Sequence, residues 1–160
     1  MVDITHKIHT HRKAIAQALL CTSSEKTIEA IKENKIAKGN VFEMSKAAGL
    51  LAVKKTSDVI PDCHPMPIEF TKISHEIKGL QILITVEVHT LYKTGVEVEA
   101  MYGASVVAMT IYDMLKPIDK GITIEKISLL EKEGGKSDYA KDKGRGITAA
   151  VLVVSDAIQS

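Results

Sequence analysis

"GLQILITVEVHTLYK", Gly79 to Lys93, is the stretch on which the fold turns. Leu80, Ile82, Ile84, Val86 and Val88 recur every second residue, while Gln81, Thr85, Glu87 and His89 share the other face with Leu83. A period of two places alternate side chains on opposite sides of an extended chain, so this is a strand with one buried face. Just upstream, "PIEFTKISHEI" reads as its hairpin partner, with Lys78-Gly79 at the turn. Downstream, "TGVEVEAMYGASVVAMTIYDMLKP" reads as a helix stopped by Pro117, which lacks an N–H and cannot continue it. Its middle is apolar on most sides, and such a helix is buried on most sides. One sheet covers only one of those sides, so self-association is expected to cover another. "KGITIEKISLLEKE" supplies the last strand.

The first third of the chain is less decided. "RKAIAQALLC" has helix-forming Ala and Leu but is short enough for a strand, and both readings stay open locally. "TSSEKTIEAIKEN" sets Thr22 three residues before Glu25, a capping-box spacing, and should end before "NKIAKGN", where Gly39 breaks it. Asn40 is then placed to cap "VFEMSKAAGLLAVKKTSDVI", in which Val41, Met44, Ala48 and Leu51 follow the helical period. With a strand first, the order is strand, two helices, hairpin, helix, strand. That is a ferredoxin-like α+β arrangement, an antiparallel sheet with helices on one face. From Lys136, "KSDYAKDKGRG" reads as a linker and "ITAAVLVVSD" as an apolar strand without a partner, which divides the chain into 1–137 and 138–160.

At 160 residues the main unit is one domain. A net charge of +1 gives no field for nucleic acid or an anionic membrane, and aromatic content of 4% without Trp offers no base-stacking surface. No apolar run has the length to span a bilayer, and "MVDITHKIHTHRK" lacks a signal-peptide core. Two cysteines form no framework, so a reducing cytoplasmic location is expected.

Chemistry gathers in four places. In "TSDVIPDCHPMP", Pro61, Pro65 and Pro67 fence Cys63-His64 on a stiff connector, where the histidine either packs or is held toward a ligand. No second Cys/His pair lies near enough for zinc, and His6, His9 and His11 are assigned to a frayed terminus, so no metal is expected. "EGGKSD" is not a Walker loop, since Leu130 stands where the first glycine is required. Its glycines with Lys132 and Lys136 are either a solvated turn or an anion-binding turn. Glu97 and Glu99 open the long helix, where carboxylates interact well with its dipole. Asp113 and Lys116 share a face at its far end, as an ion pair or an acid–base pair. Fourteen residues of helix separate Glu99 from Asp113 by about 21 Å. One small ring cannot touch both within a single subunit.

Taken in order, "MVDIT", "KKTSDVIPDCHPMP", "KTGVEVEAM", "TIYDMLK" and "LLEKEGGKS" resemble the MoaC family of cyclic pyranopterin monophosphate synthases, over Met1 to about Ser137. The resemblance implies a ferredoxin-like subunit in a homohexamer, a trimer of dimers, with active sites at the dimer interface. It implies conversion of 3′,8-cyclo-7,8-dihydroguanosine 5′-triphosphate to cyclic pyranopterin monophosphate with release of pyrophosphate, in molybdenum cofactor biosynthesis, and no cofactor. Asp113, Lys116 and Lys132 are the catalytic residues so implied. Asp62, Cys63, His64, Glu97, Val98, Glu99, Lys38, Lys136 and Asp3 are the substrate-binding ones. Three positions depart from the family pattern: Asp62 replaces a Leu, Val98 a Met, and Leu115 a residue that is often Cys. "AAVLVVSDAIQS" resembles the first strand of the MoaB/MogA family, as if the start of a fused second enzyme. A rival reading is a non-catalytic oligomeric module that binds a nucleotide or pterin.

Overall fold

The computed structural model describes residues 1–135; Lys136 and the C-terminal strand assigned from sequence lie outside the described residues. The ambiguous first segment is a strand, β1 (Thr10–Cys21). It is followed by α1 (Glu25–Lys32), α2 (Val41–Lys54), a single turn α3 (Thr56–Val59), β2 (Phe70–Lys78), β3 (Gln81–Tyr92), α4 (Glu97–Leu115) and β4 (Thr123–Glu133). The four strands form one antiparallel sheet in the order β2-β3-β1-β4, the ferredoxin-like order expected from the sequence.

Tertiary pairing settled β1. It lies between β3 and β4, where its Ala14, Ala16, Ala18 and Leu20 are fully buried. Three of these are alanines because helices press closely on the sheet there. Opposite them on β3, Ile82, Ile84, Val86 and Val88 are fully buried as the period of two requires, and each contributes about 1.5–3 kcal/mol by leaving water. Gly79 sits at the first position of the two-residue β2–β3 turn with φ +58, a conformation glycine adopts without strain.

Two helix readings need correction. The α1 N-cap is Ser24, whose side chain accepts from the Lys26 N–H, and not Thr22, whose hydroxyl donates to the Leu80 carbonyl. The buried face of α2 is Val41, Ser45, Gly49, Ala52 and Val53, while Met44 and Leu51 point outward. The apolar count misled because α2 packs through its small residues. A Cβ on Gly103 of α4 would stand 2.6 Å from Val53 Cγ2, and one on Gly49 would stand 2.9 Å from Ile73 Cδ1. Backbones can approach this closely only without those side chains. Asn40 does cap α2, accepting from the Glu43 N–H at 3.0 Å. α4 thus rests on the sheet with α2 along its flank, and Val98 and Met109 remain exposed.

The N-terminus is tied down, which the sequence reading did not anticipate. Ile4 is buried, the Met1 ammonium meets Asp62 at 2.6 Å, and Lys93 donates to the Thr5 carbonyl at 3.2 Å.

Candidate active site

The residues singled out from sequence fall into two groups, one at each end of α4. At its N-terminal end, Glu97 and Glu99 stand in the first turn, where unpaired N–H groups favour negative charge. Glu99 is 2% exposed. Cys63 donates its thiol hydrogen to Glu99 Oε1 at 3.3 Å, and Glu99 Oε2 is buried with no hydrogen-bond partner among the described residues. Burial holds the Glu99 carboxyl above the ordinary range. Burial, followed by the Glu99 charge, pushes the Cys63 thiol up to about 11, so it is a hydrogen-bond donor and not a thiolate nucleophile.

Glu97 behaves differently two residues away. Burial acts to raise its carboxyl, but the hydrogen bond from Lys132 at 2.6 Å and the nearby Arg12 charge outweigh burial and hold it low. Lys132 reaches it because β4 pairs Lys132 with the inward-facing Ala14. Arg12 was not foreseen. It faces the same side as Ala14 and donates to the carbonyls of Tyr92 and Lys93, both at 3.4 Å. A Cβ on Gly135 would stand 3.0 Å from Arg12 Nη1, and Gly134 and Gly135 have φ +94 and +117. Only the strand register brings Arg12 to this glycine turn; no local motif marks it.

The proline loop closes this end. His64 Nε2 lies 2.8 Å from the Val2 carbonyl oxygen, as donor in the tautomer protonated there. The N-terminal ammonium lowers the Asp62 carboxyl. Asp3 accepts from the N–H and hydroxyl of Thr5, both at 2.8 Å, and these bonds lower its carboxyl. Val98 is exposed on the outer side of the same turn.

At the C-terminal end, Asp113 is held between two cations. Its Oδ1 is 2.8 Å from Lys116 Nζ and its Oδ2 is 2.6 Å from Lys38 Nζ. Hydrogen bonds from Lys116 and then Lys38 bring the Asp113 carboxyl down to about 2, and Asp113 in turn raises the Lys116 ammonium. The α1–α2 loop supplies Lys38, which also donates to the Asp113 backbone carbonyl at 2.9 Å. That carbonyl's helical partner would be the N–H of residue 117, which is proline, so Lys38 satisfies an oxygen that the helix leaves open. Two lysines also offset a carboxylate placed at the negative end of the dipole.

Asp113, Lys116 and Lys132, grouped as catalytic from sequence, are therefore not brought together within one subunit. Lys132 belongs with Glu97, while Asp113 and Lys116 belong with Lys38. One end holds a desolvated acid and cations beside a glycine turn, suited to a polar ring and an anion. The other holds an ionised carboxylate between ammonium groups, suited to proton exchange. Among the described residues no group of three or more His, Cys, Asp or Glu is arranged to hold a metal ion.

A sequence model described as "MoaC family" matches residues 1–135, the span that carries both ends of α4. A cyclic pyranopterin monophosphate synthase of Listeria monocytogenes serotype 4b (strain F2365) is 50% identical over 142 residues, covering 88% of each chain. The protein of the same name from Clostridium perfringens (strain SM101 / Type A) is 47% identical over 139 residues, covering 86% of this chain and 87% of its own. That of Thermomicrobium roseum is 40% identical over 141 residues, covering 86% and 83%. With the ferredoxin-like sheet and the ordered motifs already in place, matches of this length and identity leave one assignment: the chain belongs to the MoaC family.

Proposed function

We propose that this protein is a cyclic pyranopterin monophosphate synthase. It is a lyase that converts 3′,8-cyclo-7,8-dihydroguanosine 5′-triphosphate to cyclic pyranopterin monophosphate and releases pyrophosphate. The observation that carries this reading is the unbroken match to the family over residues 1–135.

In this reading the substrate's ring system meets Cys63, His64 and Glu99, whose Oε2, without a partner among the described residues, hydrogen-bonds to it. Asp62, Val98 and Asp3 border it. The triphosphate takes over Lys132 from Glu97 and extends along the Gly134–Gly135 turn toward Arg12, where cations hold the leaving pyrophosphate as its charge builds. Asp113 and Lys116, with Lys38, move protons as the purine ring opens and the pterin forms. About 21 Å of helix separates the two groups, so the complete site draws its ends from two subunits. A homohexamer built as a trimer of dimers, located in the cytoplasm, fits this need.

Two signals test the reading. Purified protein mixed with the 3′,8-cyclo nucleotide should release pyrophosphate, and the oxidised product should show pterin fluorescence. Folded protein that gives neither signal would refute the proposal and leave the binding-module reading.

A further inference from the structure

The sheet face turned away from the helices carries a histidine pair with no part in the site described above. His11 lies near the start of β1 and His89 near the end of β3, and they are diagonal neighbours, since His11 pairs with Leu91 and His89 with Lys13. His11 was assigned from sequence to a frayed terminus; it is a strand residue. Nε2 of His11 stands 3.4 Å from Nδ1 of His89, and the rings cross at 73°.

That separation is long for a hydrogen bond between ring nitrogens, which closes to about 3 Å. It lies close to the ligand–ligand edge of a tetrahedral zinc centre, about 3.3 Å for Zn–N distances near 2.05 Å. Square-planar copper would require a cis edge of about 2.8 Å. The tautomer of His89 is also set. Its Nε2 is 2.8 Å from Glu87 Oε1, so the N–H lies there and the Nδ1 lone pair faces His11. A carboxylate behind a histidine is the arrangement that orients and strengthens a metal-binding imidazole. Phe70 packs edge-on against His89 at 4.9 Å and restricts its rotation.

The surrounding charge favours a cation. Glu87 stands beside His89, and Glu131 and Glu133 bind Lys13 at 2.7 and 3.0 Å on the same face. Lys72 stands across from Glu87 on the same face, so three carboxylates face two ammonium groups around the two rings. No third protein donor converges among the described residues, which leaves the remaining positions to water.

We propose that His11 and His89 form a two-histidine Zn²⁺ site on the outer sheet face, oriented by Glu87 and separate from the active site. Bound metal would tie the start of β1 to the end of β3, next to the strand residue Arg12. Zn²⁺ titration of the chelator-cleared full chain, against a chromophoric competitor, tests it. One equivalent should bind and raise the melting temperature, and Co²⁺ in its place should give the strong visible absorption of a tetrahedral centre. H11A and H89A should each lose that equivalent and the thermal shift. E87Q, which leaves both rings in place, should weaken binding about 10-fold. His9→Ala and His75→Ala should retain it, since His9 packs edge-on against Tyr92 and His75 stacks on Phe42. No bound equivalent in the wild type, or one that survives in folded H11A or H89A, or is lost instead from H64A, would overturn the proposal.

Discussion

The two ends of α4 hold acids by opposite means. Glu99 has lost water, keeps one oxygen without a partner among the described residues and is driven toward its neutral form. Asp113 has a side chain 53% exposed, binds two ammonium groups and stays ionised down to about pH 2. Burial and pairing act in opposite directions on the same chemical group. A single helix therefore presents a desolvated acid with an unmet oxygen at one end and a permanent anion at the other.

The largest test of this contrast is Asp113→Asn. It removes the anion but keeps the shape, and turnover should fall about 10²- to 10⁴-fold with substrate affinity largely kept. The melting temperature should hardly move near neutral pH, because exposed ion pairs contribute little to stability. What Asp113 does contribute is present above its ordinary pKa of 3.8 and is lost as the pH falls toward 2. An unchanged kcat in single-turnover assays would end the acid–base assignment and favour a binding module.

Gly103→Ala attacks what joins the two ends. Its new Cβ would stand 2.6 Å from Val53 Cγ2 and 3.3 Å from Val86 Cγ1, and overpacking of this kind costs about 1–3 kcal/mol. Calorimetry should show a melting temperature several degrees lower; no loss would mean that α2 and α4 can slide apart at little cost.

A subtler effect is expected from Glu99→Gln. Folding raises the Glu99 carboxyl above its ordinary 4.5, so its stability contribution is complete below that value and is lost as the pH rises through the raised one. Glutamine does not ionise. The melting temperature of E99Q relative to wild type should therefore climb as the pH rises above 4.5 and level off once the raised value is passed. A flat difference would mean that the buried oxygen finds a partner in solution.

Asp3→Asn should give the smallest change, a modest rise in KM with kcat kept. Asp3 is exposed and, among the described residues, bonds only to Thr5. A large fall in kcat would show that the N-terminal turn belongs to the catalytic apparatus.

How much of this could be read from the residues follows from where the information resides. β3 was plain because four large aliphatic residues alternate with polar ones. β1 was undecided because its inward residues are mostly alanine, a type that says nothing about the helix pressing on it. α2 was assigned the wrong face because Ser45 and Gly49 carry the contact and apolar Met44 and Leu51 do not. The motif residues were legible, but their partners were not. Lys38 reaches Asp113 across 75 positions, and Arg12 reaches the glycine turn only through strand register. The ion pair of Asp113 with Lys116 was local and therefore visible.

The close crossing of α2 and α4 at Gly49 and Gly103 has a mechanical consequence. With glycine on both helices the backbones meet with little soft side chain between them, so α4 behaves as a ruler clamped partway along its length. Ligand seated at one end cannot draw the other end closer. The spacing of the two polar ends is fixed when the chain folds, before any substrate arrives.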